Sequence, residues 1–258
     1  VWFFNDSTLV TKGALTNIQK YLLNRQLRLE AQPKYRILCS ACAQPGFSCF
    51  CAQIKTFDPR IKFVILIHPI EAKRRIATGR MSHLCLQNSV LIKGKDYTSD
   101  SQVNALLADP KSHSVMLYPG KSSINISDFD ENQKKNLFPT NKNLQVFVID
   151  GTWATARKMV RQSLNLQNLP RISFIPKSPS NFRVRKQPNE KCFSTIEAIH
   201  QTIELLGLSQ GFDTPSRKHD NLLQTFNYLV ENQLKFIRQV NLNPRETTYR
   251  RSGQMKIA

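Results

Sequence analysis

Leu144-Gln145-Val146-Phe147-Val148-Ile149-Asp150-Gly151-Thr152-Trp153-Ala154-Thr155-Ala156 is the stretch that decides the fold class. Its first half is almost continuously apolar, which suits a central strand buried on both faces. Gly151 permits a tight turn, and Thr152 can cap a helix predicted from about Thr152 to Ser163. A buried strand that runs directly into a helix is the repeating unit of an α/β sheet. Ligands in such sheets bind at the carboxyl ends of strands, which is where Asp150 falls.

Working outward, apolar runs at Ile61–Ile67, Val90–Ile92, Val115–Tyr118 and Ile172–Ile175 read as further strands. Helices are predicted over 13–30, 74–87, 101–107, 195–206 and 219–240. Leu15, Ile18, Leu22 and Leu23 line the first. Ile196, Ile199, Ile203 and Leu206 line the fourth. Leu222, Leu223, Phe226, Val230, Leu234 and Ile237 line the last. A serine, Ser101, opens the third. Residues 121–143, rich in Ser, Asn, Asp and Lys, read as a surface excursion with at most one helical turn. The expectation is an α/β fold, a mostly parallel sheet with helices on both faces. Residues 1–34 form a helical extension, 35–240 the main domain with its core at about 58–210, and 241–258 a basic tail.

Composition narrows the function classes. Lys plus Arg is 37 against 18 for Asp plus Glu, a net charge of +19. An excess of this size points to a polyanion partner, most often nucleic acid. The cations cluster at Lys73, Arg74, Arg75 and Arg80, at Arg183, Arg185, Lys186 and Lys191, and at Arg245, Arg250, Arg251 and Lys256. No apolar run approaches the ~20 residues a membrane span needs. Val1–Phe4 is apolar, but Asn5-Asp6 ends the run and no basic segment precedes it, so no secretory signal is expected. The cytoplasm is the expected compartment. Neither a G-x-G-x-x-G fingerprint nor a Walker loop is present; Gly120-Lys121-Ser122 lacks the upstream glycine.

Four of the six cysteines fall within thirteen residues, as Cys39-x2-Cys42-x6-Cys49-x-Cys51. A disulfide pair fits poorly with the expected compartment. Four thiolates on two short turns can converge on one tetrahedral metal, with Pro45 and Gly46 reversing the chain between them. Zinc is the first expectation and an iron–sulfur cluster the second. A site with four thiolates has no open position, so its role is structural. Cys85 and Cys192 stand alone and read as small buried apolar groups.

Three strand or helix ends could carry chemistry. At Asp150-Gly151-Thr152-Trp153 the carboxylate, the free N–H groups of a helix start and the flat indole could face a ligand. Equally, Asp150 could cap the helix and Trp153 could belong to the core. Tyr118-Pro119-Gly120 reads first as an ordinary turn. Ser194-Thr195-x-Glu197 reads as a capping box.

Taken as an ordered set, these segments resemble the DTW-domain family, the tRNA-uridine aminocarboxypropyltransferases. Asp150-Gly151-Thr152-Trp153, followed by Ala156-Arg157-Lys158-Met159, is similar to the D-x-T-W segment that names the family. The cysteine knuckle, His68-Pro69-x-Glu71, Thr78-Gly79-Arg80, Tyr118-Pro119-Gly120, Arg183-x-Arg185 and Ser194-Thr195-x-Glu197 fall in the family's order. The likeness covers about residues 35 to 210 and extends to the last long helix. Ala77 departs from the pattern, standing where a small polar residue precedes Thr-Gly.

The resemblance implies a core related to the SPOUT methyltransferases, with a trefoil knot. It implies S-adenosylmethionine as donor and a uridine of tRNA as acceptor. The group transferred would be 3-amino-3-carboxypropyl, delivered to N3, with 5′-methylthioadenosine released. Asp150 is then the expected proton acceptor. Tyr118, Pro119, Gly120, Gly151, Thr152, Trp153, Ser194, Thr195 and Glu197 are the expected donor contacts. Arg80, Arg183 and Arg185 are expected on tRNA phosphates or on the donor carboxylate, and Lys186 on tRNA. A SPOUT-type RNA methyltransferase is the nearest rival and shares the donor. A non-catalytic zinc-containing RNA-binding module is a rival from another class and predicts no donor binding. No protein partner is implied, and the chain is expected to be a monomer or homodimer.

Overall fold

A computed structural model of the chain describes residues 37–120, 122–184 and 192–242, and a few helical residues between 18 and 26. Residues up to 37 form one compact unit and residues from 38 another. In the first, residues 18, 21–23, 25 and 26 are helical (α1), within the helix predicted over 13–30, with Ile18, Leu22 and Leu23 exposed. Leu15 and the basic tail from 243 lie outside the described residues.

The second unit is built on six strands: β1 Lys62–Ile67, β2 Ser89–Lys93, β3 Ser112–Leu117, β4 Ser123–Asn125, β5 Asn143–Asp150 and β6 Arg171–Ser173. Their order is β2-β1-β5-β3-β6-β4, and every pairing is parallel. β5 therefore lies inside the sheet with β1 on one side and β3 on the other, as its continuous apolar run predicts. Alternation explains that run. Phe63, Ile65, Val146 and Val148 point into one core, while Val64, Leu66 and Phe147 point into a second.

Two helical layers cover the two faces. The first core is closed by α3 Thr78–Cys85, α8 Thr195–Leu206 and α9 Asp220–Leu242. The second is closed by α4 Ser101–Ala108, α6 Trp153–Gln162 and α7 Leu164–Gln167. Leu222, Phe226, Val230 and Leu234 of α9 are buried as the spacing predicts; the side chain of Ile237 lies outside the described residues. Cys85 and Cys192 are buried, and burial pushes the Cys85 thiol up to about 11.

Several local expectations are corrected. β3 begins earlier, at Ser112, because parallel pairing with β5 recruits the polar Ser-His-Ser segment. The supposed excursion at 121–143 contains β4 and a helix, α5 Glu131–Asn136, with an Asp130–Gln133 capping box. Helix α4 does open at Ser101, and the preceding Asp100 adds a cap that the sequence reading did not name, its side chain accepting from Val103 N at 2.9 Å. A short turn, α2 Pro69–Ala72, follows β1.

Candidate active site at the carboxyl ends of the strands

A cavity of about 610 Å3 opens where β3, β5 and β6 end. Tyr118 and Pro119 enter it from β3, Asp150 through Trp153 from β5, and Ser173 through Pro176 from β6. Phe182, Phe193, Ser194 and Thr195 close the far side, with Arg74 and Thr78 at another edge. Three segments distant in sequence thus converge as expected. Gly120 and Glu197 are not part of the wall. Gly120 belongs to the turn next to Tyr118, where Ser123 Oγ donates to its carbonyl at 2.7 Å.

Asp150 is 5% exposed and caps a helix other than its own. Gly79 N donates to Oδ2 at 3.1 Å, and Thr195 Oγ1 donates to Oδ1 at 2.6 Å. The carboxylate therefore sits at the start of α3, where free N–H groups and the helix dipole favour a negative charge. The N-cap residue of α3 is Ala77, which has no capping side chain. Asp150 supplies from β5 what that position lacks. Gly79 is required for the approach, since a Cβ there would lie 2.5 Å from Asp150 Oδ2. Helix α6 is capped by Thr152, whose Oγ1 accepts from Thr155 N at 3.2 Å.

The indole of Trp153 is 38% exposed and lines the cavity, so it is not a core residue. Tyr118 lines the same cavity, with the Arg171 guanidinium 5.5 Å from the phenol ring centre. Burial pushes the Tyr118 phenol above its usual range, against the pull of Arg171 and Arg157. Phe174, Phe182 and Phe193 add flat apolar surface that the sequence reading missed. Phe174 immediately follows β6, and its position at a strand end was the available signal.

Glu197 holds the wall in place instead of lining it. Its carboxylate accepts from Ser180 Oγ at 2.7 Å, Asn181 N at 2.7 Å and Ser194 N at 2.8 Å. The capping box expected at Ser194 and Glu197 is present, and it also ties down the segment before Phe182. Phe182 in turn packs edge-on against Phe226 of α9, with ring centres 5.3 Å apart.

The expected arginines among the described residues have partners within the protein. Arg80 donates to the Ala72 carbonyl and closes the end of α2. Arg183 pairs with Glu231 on α9. Neither lines the cavity. Arg185 and Lys186 lie outside the described residues. Arg74 is the one cation among the described residues of the cavity wall, and Asp150 the one anion.

A DTW-domain family model matches residues 36–234. This chain belongs to the DTW-domain family. The matched range takes in the whole sheet, the cavity and most of α9. The DTW domain is similar to a Drosophila melanogaster protein named tRNA-uridine aminocarboxypropyltransferase 2, with 28% identity over 67% of this chain and 68% of that one. It is 24% identical to the Macaca fascicularis protein of the same name, over 85% of this chain and 72% of that one. An Arabidopsis thaliana relative, tRNA-uridine aminocarboxypropyltransferase A, is 22% identical over 86% of this chain and 90% of its own. No solved structure matches.

The match begins just before the cysteine knuckle of this DTW domain. Cys39 and Cys51 have their Sγ atoms 3.7 Å apart, and Cys42 and Cys49 theirs 3.6 Å apart. All four sulfurs lie within 4.8 Å of one another, and none is in a disulfide. Four thiolates at 2.3 Å from one ion would be about 3.8 Å apart, so the group could hold a metal ion. Backbone N–H bonds, first that of Cys42 and then that of Ala41, hold the Cys39 thiol down to about 6. The chain reverses through Ala43, at φ 55°, rather than at Gly46, which starts a 3₁₀ turn. Gln44, wholly buried, donates from Nε2 to the Arg75 carbonyl.

A second cluster joins α8 to the start of α9. His200 Nε2 meets Asp220 Oδ1 at 2.8 Å, and the buried His219 meets Glu204 Oε2 at 2.5 Å. The two imidazoles stack 4.7 Å apart. Arg217 donates to both carboxylates at 2.7 to 2.9 Å. The guanidinium already occupies the charge that a cation would seek there, so the cluster is an ion-pair clamp.

Proposed function

We propose that this DTW domain transfers the 3-amino-3-carboxypropyl group of S-adenosylmethionine to N3 of a uridine in tRNA, releasing 5′-methylthioadenosine. The observation that carries the reading is the strand-end cavity with its single buried carboxylate, Asp150, and its aromatic wall. A pocket of this size suits a nucleoside-sized ligand. Trp153, Tyr118 and the phenylalanines offer faces for adenine and for the uracil ring. The names of the relatives support the same chemistry.

In the reaction, the N3–H bond of uridine breaks and the nitrogen pair forms a bond to the donor carbon next to sulfur. The carbon–sulfur bond breaks and its electron pair returns to sulfur, leaving a neutral thioether. Asp150 accepts the N3 proton and passes it to solvent. Gly79 N and Thr195 Oγ1 hold the carboxylate in place, and a carboxylate at this point suits a cationic donor. The sulfonium is a good leaving group, so most of the acceleration comes from alignment of nitrogen, carbon and sulfur. The target uridine leaves any stack to reach the cavity.

The basic excess, including Arg185 and Lys186, supplies tRNA phosphate contacts in this reading. Zinc is the proposed occupant of the cysteine knuckle, as a structural ion that braces the N-terminal end of the domain. A knotted SPOUT-like chain path, a cytoplasmic location and the boundaries at 35 and 240 belong to the same proposal. Among the described residues no helix is long and apolar enough to cross a membrane.

The test is a product assay. The protein is incubated with S-adenosylmethionine and unmodified tRNA, and both products are identified by mass spectrometry. Methylthioadenosine with an aminocarboxypropyl-uridine is the expected outcome. S-adenosylhomocysteine with a methylated nucleoside would replace it with the methyltransferase reading. No turnover and no donor binding would leave an RNA-binding module.

A further inference from the structure

The motif His68-Pro69-x-Glu71 does not itself line the cavity, but it fixes the segment that carries Arg74, which does. The His68 ring accepts from Ile70 N at 3.2 Å and starts α2, while His68 N donates to the Asp150 carbonyl at 2.9 Å. The turn is thereby fixed against the end of β5. Its third residue, Glu71, has a side chain only 3% exposed and pairs with Arg74 Nε at 3.3 Å. Arg80 closes the same turn by donating to the Ala72 carbonyl. Gln44 of the knuckle donates to the carbonyl of Arg75, the next residue along. Arg74 is thus held on both sides of its place in the chain, and it lines the cavity.

We propose that Arg74 binds the α-carboxylate of the donor's amino acid chain, with Glu71 as the residue that positions it. The inference rests on the donor assignment made above. The donor carries one negative group, its carboxylate, and two positive ones, the ammonium and the sulfonium. The wall among the described residues offers one cation, Arg74, and one anion, Asp150. Matching charges seats the carboxylate at Arg74 and brings the positive groups towards Asp150.

At each of the two helix starts beside the cavity one N–H is already bound within the protein. Thr152 Oγ1 takes the Thr155 N–H at one helix start, and Glu197 takes the Ser194 N–H at the other. Arg80 and Arg183 do not line the cavity. Among the described residues the only ion-pair partner of Arg74 is Glu71, reached through Nε, and the fork of the guanidinium suits a second carboxylate. Anchoring the carboxylate fixes the direction of the propyl chain about sulfur. That anchor selects the propyl carbon over the methyl as the one that uridine N3 meets.

Calorimetry with two ligands tests this. S-adenosylmethionine has the carboxylate, and 5′-methylthioadenosine lacks the whole chain but keeps the adenosine and the sulfur. Arg74→Ala should weaken S-adenosylmethionine by roughly tenfold or more, as for loss of a charged hydrogen-bonded pair, and leave methylthioadenosine within about twofold. Arg74→Lys should recover part of the loss, and Glu71→Gln should lose less than Arg74→Ala. Unchanged binding of S-adenosylmethionine by Arg74→Ala overturns the proposal, as does equal weakening of both ligands. Loss of tRNA affinity alone overturns it in favour of a phosphate contact. If the wild-type protein binds neither small molecule, the donor assignment itself falls, a result distinct from any failure of the variant.

Discussion

Asp150, the last residue of β5, and Gly79, the second residue of α3, meet through a 3.1 Å hydrogen bond across 71 residues of chain. The contact explains why a glycine stands inside a helix, where it normally costs about 1 kcal/mol relative to alanine. Gly79→Ala gains helix propensity but places a methyl 2.5 Å from the carboxylate oxygen. The carboxylate or the helix must give way. The expected net result is a destabilisation of about 1–3 kcal/mol, of the kind overpacking produces. Chemical denaturation measures it, and the product assay should show a parallel loss of transfer. A variant as stable and active as wild type would refute the contact.

Thr195 is the second donor to the same carboxylate, at 2.6 Å. Thr195→Val keeps the shape and removes the hydroxyl, at an expected cost of about 1.5–3 kcal/mol for a hydrogen bond to a charged group. Thr195→Ser should restore most of the stability and the activity. Equal loss in both variants would show that the methyl group, not the hydroxyl, matters at this position.

The knuckle should contain one zinc ion per chain by elemental analysis. Cys42→Ser, at the most buried of the four ligands, should remove the metal and lower the melting temperature. The Gln44 contact to the Arg75 carbonyl predicts a second effect. Metal loss should weaken S-adenosylmethionine binding more than methylthioadenosine binding, because the disturbed backbone is that of Arg75, the neighbour of Arg74. Titration of both ligands before and after chelation reads this directly.

The α8–α9 clamp predicts acid lability. Burial holds the His200 imidazole below its usual range, with His219 acting the same way, despite the opposing pull of Asp220 and Glu204. Burial works to raise the Glu204 and Asp220 carboxyls, but His219 and Arg217 overcome it for Glu204, and Arg217 and His200 for Asp220. Both carboxyls end below their usual range. A depressed histidine means that the unfolded chain takes up a proton before the folded one does. Stability should therefore fall as pH drops below the ordinary histidine value of about 6.5. The depressed carboxyls give a second loss as pH falls below about 4. Melting curves from pH 8 to pH 3 should show both stages. Replacing His200 by Asn should flatten the first.

Much of this architecture was legible because a strand buried on both faces has an unmistakable composition. Val146 through Ile149 could be read as an inner strand, and the match of Thr195–Leu206 to its predicted span follows from a clear helical period. β4 was not legible, since Ser123-Ile-Asn has no pattern of its own and exists only by pairing with β6. The site divided in the same way. The strand-end residues Tyr118, Asp150 and Trp153 could be placed by the general behaviour of parallel sheets. Whether Asp150 capped its own helix could not, because the answer depends on α3 arriving from far along the chain. Arg74 was hidden among neighbours of the same charge, and only its burial partner Glu71 distinguishes it.

Because Asp150 holds α3 and α8 through its side chain and the start of α2 through its carbonyl, it joins the sheet to three separate segments. Genetic experiments on this protein inherit that arrangement. An allele altered at Asp150 would lower the amount of folded protein in the cell as well as its chemistry, and complementation data would mix the two. Alleles at Arg74 or Trp153, whose side chains border solvent, separate abundance from catalysis and make the better inactive controls.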